Sequence, residues 1–226
     1  MEFIMHIEIQ EIYKQYGSKE VLRGATLSAD GGMCVGILGG NGSGKSTLLS
    51  ILAGIQPANS GSFLYDGKDL FRYSKERSRL VGYVPQGTPM IEELTAYDNL
   101  LLWYSKRALQ KELADGLIAQ LGIQDFLKLP VSKLSGGMKK RLSIACAMAG
   151  RPPILLMDEP MAALDLACKQ TISDYIKNHK EKGGIVFIAT HDVLELELCD
   201  SWYIIKDGKM VPFIYTGDVE ELVKNL

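Results

Sequence analysis

A run of glycines that ends in a lysine and a serine is the clearest chemical signal in the sequence. Residues 39–46 match the pattern G-x-x-x-x-G-K-[ST], between a short apolar run and a helical one. Such a loop can wrap an anion with inward-pointing N–H groups at a helix N-terminus. We expect Lys45 to reach the β- and γ-phosphates of a nucleotide and the Ser46 hydroxyl to bind Mg²⁺. A glycine-rich turn that only caps a helix is the alternative. The predicted phosphate-binding residues are Gly39, Gly40, Asn41, Gly42, Ser43, Gly44, Lys45, Ser46 and Thr47.

Two adjacent carboxylates follow an apolar run later in the chain. Residues 154–157 are Ile-Leu-Leu-Met, and Asp158 and Glu159 come next. Successive side chains of a strand point to opposite sides, so the two carboxylates can do different work. Asp158 can hold Mg²⁺ through water, while Glu159 faces the terminal phosphate as a base or a water-positioning group. Such a pair alone is also a common strand exit, but the phosphate loop earlier in the chain favours the chemical interpretation.

A serine followed by two glycines opens another helical run. Ser135 is a favourable N-cap, and Gly136 and Gly137 leave the main-chain amides of the first turn unobstructed. The basic residues Lys139, Lys140 and Arg141 follow. Taken alone, this segment predicts a capped helix and nothing more.

Alternating strands and helices must position these motifs. Residues 3–13 and 21–29 predict an antiparallel hairpin, and a strand at 33–38, the glycine loop and a helix at 46–53 open a β-α-β arrangement. The other predicted strands lie at 61–65, 80–84, 154–157, 184–189 and 202–205, with a hairpin turn at Asp207-Gly208. The other predicted helices lie at 100–104, 111–121, 138–149, 168–180 and 193–198. The simplest architecture is an α/β core interrupted by a helical insert.

Composition restricts the class of protein further. The 226 residues carry 25 Lys and Arg against 27 Asp and Glu, a formal charge of −2, and 46% are apolar. We therefore expect an ordered globular chain that does not bind nucleic acid through bulk charge. The longest charge-free window, residues 46–65, is too polar to span a membrane, and the N-terminus lacks a signal-peptide pattern. The four cysteines form no C-x-x-C pair, which predicts buried free thiols in a cytosolic protein.

The three motifs, in this order, resemble the nucleotide-binding subunits of ATP-binding-cassette (ABC) transporters, and the resemblance covers essentially the whole chain. The Ser135-Gly136-Gly137 turn is similar to the signature motif of that family. The resemblance implies a P-loop NTPase core with a mostly parallel sheet, an N-terminal antiparallel β subdomain and an inserted α-helical subdomain. It divides the single domain 1–226 into about 1–86, 87–150 and 151–226. ATP and Mg²⁺ are the implied cofactors.

The resemblance also assigns roles to single residues. Tyr16 occupies the position of the aromatic that stacks on adenine, although it could instead cover apolar surface of the hairpin. Gln86, in the sequence Tyr-Val-Pro-Gln, is similar to the glutamine that senses Mg²⁺ and joins the core to the helical insert. A solvated loop glutamine is the alternative for Gln86.

Two further residues follow the carboxylate pair. Asp165 is similar to the aspartate of the D-loop, which crosses the dimer interface in the family, and an ordinary helix N-cap is its alternative. His191, after the predicted strand 184–189, is similar to the switch histidine that contacts the γ-phosphate, and a structural histidine at a strand end is the alternative. The implied catalytic set is Lys45, Gln86, Glu159 and His191.

The resemblance implies two kinds of protein partner. ATP would lie between the phosphate loop of one chain and the signature turn of a second, in a head-to-tail homodimer or heterodimer. A transmembrane permease subunit would dock on the helical insert, which places the chain at the cytoplasmic face of a membrane. Tyr97, Trp103 and Tyr104 could belong to that docking surface, and core packing is equally open for each.

Three residues depart from the family pattern: Met138 in the signature, Met161 after Glu159-Pro160, and Leu166 after Asp165. None is a phosphate or metal ligand, and the signature without its usual glutamine favours export. A soluble, non-transport ABC ATPase, such as an iron–sulfur assembly factor, is the first alternative function. An unrelated P-loop kinase or GTPase is the second, although it has no need of the signature turn.

Overall fold

The computed structural model describes residues 5–218, 220, 222 and 224. The strands are β1 (His6–Tyr16), β2 (Lys19–Asp30), β3 (Cys34–Leu38), β4 (Ser60–Tyr65), β5 (Lys68–Asp69), β6 (Val81–Val84), β7 (Ile154–Asp158), β8 (Ile185–Ala189), β9 (Ser201–Lys206) and β10 (Lys209–Phe213). The α-helices are α1 (Lys45–Ala53), α2 (Ser74–Leu80), α3 (Ala96–Leu101), α4 (Lys106–Asp115), α5 (Leu117–Gln120), α6 (Gly136–Ala147), α7 (Leu166–Glu181) and α8 (Val193–Leu196). Residues 1–4, on which the signal-peptide argument and the start of the predicted strand 3–13 depend, lie outside the described residues.

The antiparallel sheet begins with the predicted hairpin. β1 pairs with β2, and β4 and β5 extend the sheet in the order β2-β1-β4-β5. Ile7 and Ile9 are fully buried at the period-2 spacing of a strand with one covered face. A bulge after Ile9, with Glu11 at φ 52°, shifts the alternation by one residue, so that Ile12 returns to the buried face.

The mainly parallel sheet has the order β10-β9-β3-β8-β7-β6, with β10 antiparallel to β9. Every residue of β3, β7 and β8 is buried, which explains why these strands read as continuous apolar runs. Parallel strands end at the same edge of a sheet. The loops after β3, β6, β7 and β8 therefore meet there, and they carry residues 39–46, Gln86, Glu159 and His191.

The helical segment between β6 and β7 differs from the prediction in its detail. The predicted helix 111–121 is wrong as a continuous element, because it breaks at Gly116 between α4 and α5. The Glu112 carboxylate folds over this glycine and accepts a hydrogen bond from the Leu117 N–H at 3.0 Å, and a Cβ at position 116 would lie 2.1 Å from it. The predicted helix 100–104 is also displaced, since α3 begins at the Thr95 capping box and ends at Leu101.

The three aromatic residues considered for a docking surface differ in their exposure to solvent. Tyr104 is buried and donates its hydroxyl to the Ala145 carbonyl at 2.7 Å, so its core interpretation is correct. Tyr97 packs half-buried against the same core, and Trp103 is 63% exposed. All four cysteines are buried free thiols, as predicted. None of the helices that the structure describes has the length and apolar character needed to cross a lipid bilayer.

Candidate functional site

The phosphate loop joins β3 to α1 through backbone conformations that favour glycine. Gly39, Gly42 and Gly44 have φ values of 147°, 77° and 114°, and Gly44 is the N-cap of α1. At Gly39 the requirement is also steric, because a Cβ there would lie 2.6 Å from Ser43 Oγ. The loop therefore ends at the N-terminus of a helix that no side chain caps, which suits an anion.

Lys45 is folded inward over this loop. Its side chain is buried, and Nζ donates hydrogen bonds to the carbonyls of Gly39 at 2.6 Å and Gly40 at 3.2 Å. Burial lowers the pKa of the ammonium group, while the Asp158 and Glu159 carboxylates act in the opposite direction. A cation thus sits within the curve of the loop, where a phosphate would enter.

Asp158 ends β7 with its side chain almost fully buried. Burial is the largest influence on the carboxyl and raises its pKa, whereas a hydrogen bond with Ser46 and the Lys140 and Lys45 charges lower it. Its Oδ2 is buried and makes no hydrogen bond within the described residues. A buried carboxylate oxygen without a partner, beside a serine hydroxyl, is the oxygen-rich environment that Mg²⁺ selects. The residues present therefore fit the expected cation.

Glu159 adopts a left-handed backbone conformation, with φ 47°, directly after β7. Its N–H donates to the Ala189 carbonyl at 2.9 Å, which fixes the turn against the end of β8. Gln86 Nε2 donates to its Oε2 at 3.0 Å, and His191 Nδ1 lies 3.1 Å from its Oε1. Two predicted site residues, from the loops after β6 and β8, thus converge on the Glu159 carboxylate.

The sequence did not predict a site role for two buried charged residues near Glu159. Lys140, on α6, donates from Nζ to the carbonyls of Pro85 at 3.0 Å and Asp158 at 3.2 Å. Glu195, on α8, accepts the Met161 N–H at 2.7 Å, and burial raises its pKa. For Lys140 a signal exists, since it lies one helical turn before the buried Ile144 and so shares its face.

The signature turn lies apart from the phosphate loop. Ser135 caps α6 as predicted by accepting the Met138 N–H at 3.3 Å, and both Ser135 and Gly136 are exposed. A Cβ at Gly137 would lie 2.9 Å from the Ala163 carbonyl, so the turn packs closely against the segment after β7. Among the described residues, no hydrogen bond joins this turn to residues 39–46.

The remaining predicted residues lie at the periphery. Tyr16 is 48% exposed, its hydroxyl donates to Gln56 Oε1, and Lys14 Nζ lies 5.0 Å from its ring centroid. Asp165 caps α7 by accepting the Cys168 N–H at 2.8 Å, and this bond lowers the pKa of its carboxyl. The N-cap alternative for Asp165 is therefore realised in the chain, and the residue is exposed.

Comparisons with known proteins identify the family. The sequence model of the family described as ABC transporter matches residues 22–162. The chain is 32% identical over 210 residues to the linearmycin resistance ATP-binding protein LnrL of Bacillus subtilis, covering 91% of this chain and 68% of that protein. It is 30% identical over 223 residues to the lantibiotic transport ATP-binding protein SrtF of Streptococcus pyogenes, covering 97% and 96%.

A solved structure agrees with the sequence comparisons. An ATP-binding cassette in a dimeric, post-hydrolysis state bound to ADP and Pi superposes with a TM-score of 0.76 at 28% identity, over 90% of this chain and 96% of that one. The predicted P-loop NTPase fold, with its antiparallel β sheet and mainly parallel core, is confirmed by such neighbours. The chain belongs to the ABC transporter family, as an ATP-binding subunit with the ATPase activity of that family.

Proposed function

We propose that this chain binds Mg-ATP and hydrolyses it to power transport through separate membrane subunits. The observation that carries the proposal is the convergence of Gln86 and His191 on the Glu159 carboxylate, at 3.0 and 3.1 Å. Asp158, the residue before Glu159, and Lys45, in the phosphate loop, lie close enough for their charges to influence each other. This set has the parts that phosphoryl transfer to water requires: a phosphate cradle, a cation site and a base.

The phosphate loop holds the nucleotide in this proposal. The residues that contact the phosphates are Gly39, Gly40, Asn41, Gly42, Ser43, Gly44, Lys45, Ser46 and Thr47. Lys45 exchanges its hydrogen bonds with the Gly39 and Gly40 carbonyls for oxygens of the β- and γ-phosphates. That exchange places a positive charge where negative charge increases during transfer, which is the electrostatic contribution of this residue to catalysis.

Ser46, Asp158 and Gln86 form the proposed cation site. The Ser46 hydroxyl and the Asp158 carboxylate supply oxygen donors, and Gln86 uses its amide nitrogen on Glu159, which leaves its carbonyl oxygen for the cation. When bound, Mg²⁺ neutralises phosphate charge and orients the terminal phosphoryl group. Because Gln86 contacts both Glu159 and the cation site, it couples the base to the presence of Mg-ATP.

Glu159 is the proposed base for the attacking water. Its two oxygens are oriented by different neighbours, Gln86 on Oε2 and His191 on Oε1. The side chain of Glu159 is 18% exposed and that of His191 is 63% exposed. A water that approaches the terminal phosphate therefore meets a partly desolvated carboxylate whose direction is fixed from two sides. His191 contacts Glu159 through Nδ1, which leaves its other ring nitrogen for the phosphate.

A second ATP-binding subunit, identical or related, completes the site. Ser135, Gly136 and Gly137 offer an exposed helix N-terminus to the phosphates bound by the facing chain. Asp165 lies at the crossing between the two chains, and Tyr16 stacks on adenine from the phosphate-loop side. ATP-driven closure of this head-to-tail dimer, and its opening after hydrolysis, is the proposed power stroke.

The closure moves the helical subdomain, residues 87–150, against the core formed by 1–86 and 151–226. A transmembrane permease subunit docks on the helical subdomain, so that the chain works at the cytoplasmic face of a membrane. Export is the proposed direction, and Met138 in the signature motif is the residue that supports it; the similar relatives include both an export subunit and import subunits. No nucleic acid takes part.

Substitution of Glu159 by Gln separates binding from chemistry. The change keeps size and hydrogen bonding but removes the base, so steady-state hydrolysis should fall by about 10²–10⁴-fold while ATP binding survives. Because ATP is no longer consumed, two chains should remain closed and elute as a dimer on size-exclusion chromatography. Wild-type protein with ADP is the control and should elute as a monomer. Wild-type turnover in Glu159→Gln would remove the basis of the assignment.

Mixing two inactive variants tests the shared site. Lys45→Ala removes the phosphate contact and Ser135→Arg blocks closure, so each alone should be inactive. In a mixed dimer one composite site carries both defects and the other carries neither, so part of the activity should return. If mixing restores nothing while wild-type chains hydrolyse ATP in the same buffer, the site is complete within one chain.

A further inference from the structure

The proposed mechanism leaves one buried charged side chain without a role. Lys140 is 3% exposed and lies in the second turn of α6, the helix that begins at the signature turn. Buried ammonium groups are costly to desolvate and persist where hydrogen bonds and opposite charges compensate them. Its neighbour Lys139 shows the contrast, since that side chain is 21% exposed and pairs with Glu92 at 2.8 Å on the surface.

The hydrogen bonds of Lys140 reach two separate loops of the site. Nζ donates to the Pro85 carbonyl at 3.0 Å and to the Asp158 carbonyl at 3.2 Å. Pro85 directly precedes Gln86, and Asp158 directly precedes Glu159. One ammonium group is therefore bonded to the main chain immediately before each of the two residues whose side chains meet at 3.0 Å.

Acidic side chains around Lys140 stabilise its positive charge. The carboxylates of Asp158, Glu195 and Glu159 all favour its charged form, against the effect of burial. Asp158 ends β7, Glu159 follows it directly, and Glu195 belongs to α8. Lys140 therefore brings a positive charge from α6 to acidic groups of two other segments. A neutral side chain of the same length would fill the space but would leave both carbonyls without their donor.

We propose that Lys140 is a positioning residue for ATP hydrolysis. By holding the main chain before Gln86 and before Glu159, it sets the distance between those two side chains. Because Lys140 is part of α6, the distance between the Gln86 and Glu159 side chains also depends on the position of α6. Movement of this helix on dimer closure is thereby transmitted to the base. The inference rests on the proposed role of Glu159 and adds a residue that never touches the nucleotide.

The test compares Lys140→Met and Lys140→Arg with the matched surface control Lys139→Met. In Lys140→Met, kcat for Mg-ATP should fall about 10–100-fold, since a misplacement of about 1 Å in a catalytic group costs up to roughly 10²-fold. Affinity for a fluorescent ADP analogue, measured without Mg²⁺, should stay within about twofold, because no hydrogen bond among the described residues joins Lys140 to the phosphate loop. Lys140→Arg keeps the charge and should recover part of the loss. Lys139→Met should keep the wild-type kcat.

A double-mutant cycle with Gln86→Ala distinguishes positioning from general stabilisation. If Lys140 acts through the contact between Gln86 and Glu159, Lys140→Met should cost far less activity in the Gln86→Ala background than in wild type. Equal losses in both backgrounds would overturn the inference, as would an unchanged kcat in folded Lys140→Met. Should Lys140→Met fail to bind ADP, Lys140→Gln takes its place. Its uncharged side chain is one bond shorter and can keep a donor to only part of the site, so kcat should fall by less than is expected for Lys140→Met, and an unchanged kcat would overturn the inference.

Failure of this inference is distinguishable from failure of the proposed function. If Glu159→Gln is inactive and Lys140→Met turns over normally, only the role of Lys140 is wrong. If Glu159→Gln hydrolyses ATP at the wild-type rate, the base itself is misassigned, whatever Lys140→Met does.

Discussion

Gly39 and Gly42 offer a matched pair of substitutions for testing why the phosphate loop needs its glycines. Both have positive φ, 147° and 77°. An alanine Cβ at position 39 would lie 2.6 Å from Ser43 Oγ and 3.2 Å from the Ile205 carbonyl oxygen, whereas at position 42 it would meet nothing within 4 Å. Gly39→Ala therefore combines backbone strain with a steric clash, and Gly42→Ala carries backbone strain alone.

The structure sets the size of each effect. Left-handed backbone costs an alanine about 1–2 kcal/mol, which is the whole of the expected destabilisation in Gly42→Ala. At Gly39 the backbone lies in a region that is rarer still, for about 1–3 kcal/mol, and overpacking adds about 1–3 kcal/mol more. The free energy of unfolding should thus fall by about 2–6 kcal/mol in Gly39→Ala. For a domain of this size, each kcal/mol corresponds to roughly 2–4 °C in Tm.

Urea unfolding of the nucleotide-free chain, followed by tryptophan fluorescence, measures both losses under the same conditions. The added substitution Ser43→Gly removes the contacted side chain, so it should recover the part of the steric loss that Ser43 causes in Gly39→Ala, when compared with Ser43→Gly alone. The contact with the Ile205 carbonyl remains. In Gly42→Ala, the added Ser43→Gly should recover no free energy of unfolding, because a Cβ at position 42 meets no atom within 4 Å. Equal unfolding midpoints for Gly39→Ala and Gly42→Ala, or no recovery with Ser43→Gly, would refute the steric argument.

Three further predictions concern ligand binding and pH. Saturating Mg-ATP at about 100 times its Kd should stabilise the wild-type chain by roughly 2.7 kcal/mol, or about 5–11 °C in Tm by differential scanning fluorimetry, and Lys45→Ala should lose most of that shift. If the Tyr16 ring stacks on adenine, Tyr16→Ala should weaken the binding of ATP and of ADP equally, by about 1–3 kcal/mol in a fluorescence titration. Unchanged affinity would mean that Tyr16 only covers apolar surface of the hairpin. His179 is half-buried against the Pro153 carbonyl, and burial lowers the pKa of its imidazole. The unfolded chain therefore binds the proton more tightly, so the free energy of unfolding should decrease as pH falls below about 6.5, and this decrease should be smaller in His179→Gln.

The parts of the site that sequence could predict are those whose geometry is local. The phosphate loop is a strand, a turn and a helix N-terminus within a few residues, and the N-cap at Ser135 is a contact within one helical turn. Glu159 follows directly from a buried strand whose end must lie at the sheet edge. The catalytic and binding roles given to these residues stay predictions, although the structure brings Gln86, Glu159 and His191 together.

The parts that sequence could not predict depend on contacts between distant segments. The sequence presents Lys140 as one of three consecutive basic residues, and only the packing of α6 against the loops after β6 and β7 buries it. The break between α4 and α5 likewise depends on the Glu112 side chain turning back over Gly116. The short helix α2 has no buried residue, so it gives no apolar periodicity from which to predict it.

In the proposed site, nucleotide binding affects the hydrogen bonds that Lys45 makes within the phosphate loop. In the free chain its ammonium group satisfies the Gly39 and Gly40 carbonyls at 2.6 and 3.2 Å, so the loop is closed over its own cation. An ammonium group has three donors and two are used here, so in the proposed complex one phosphate oxygen can take the third donor and a second must replace a carbonyl. Where a phosphate oxygen replaces one of these carbonyls, a hydrogen bond with one charged partner becomes a hydrogen bond with two. In the proposed site the carbonyls of Gly39 and Gly40 therefore compete with the phosphates for Lys45, and the gain in affinity from this residue is the difference between the two kinds of hydrogen bond.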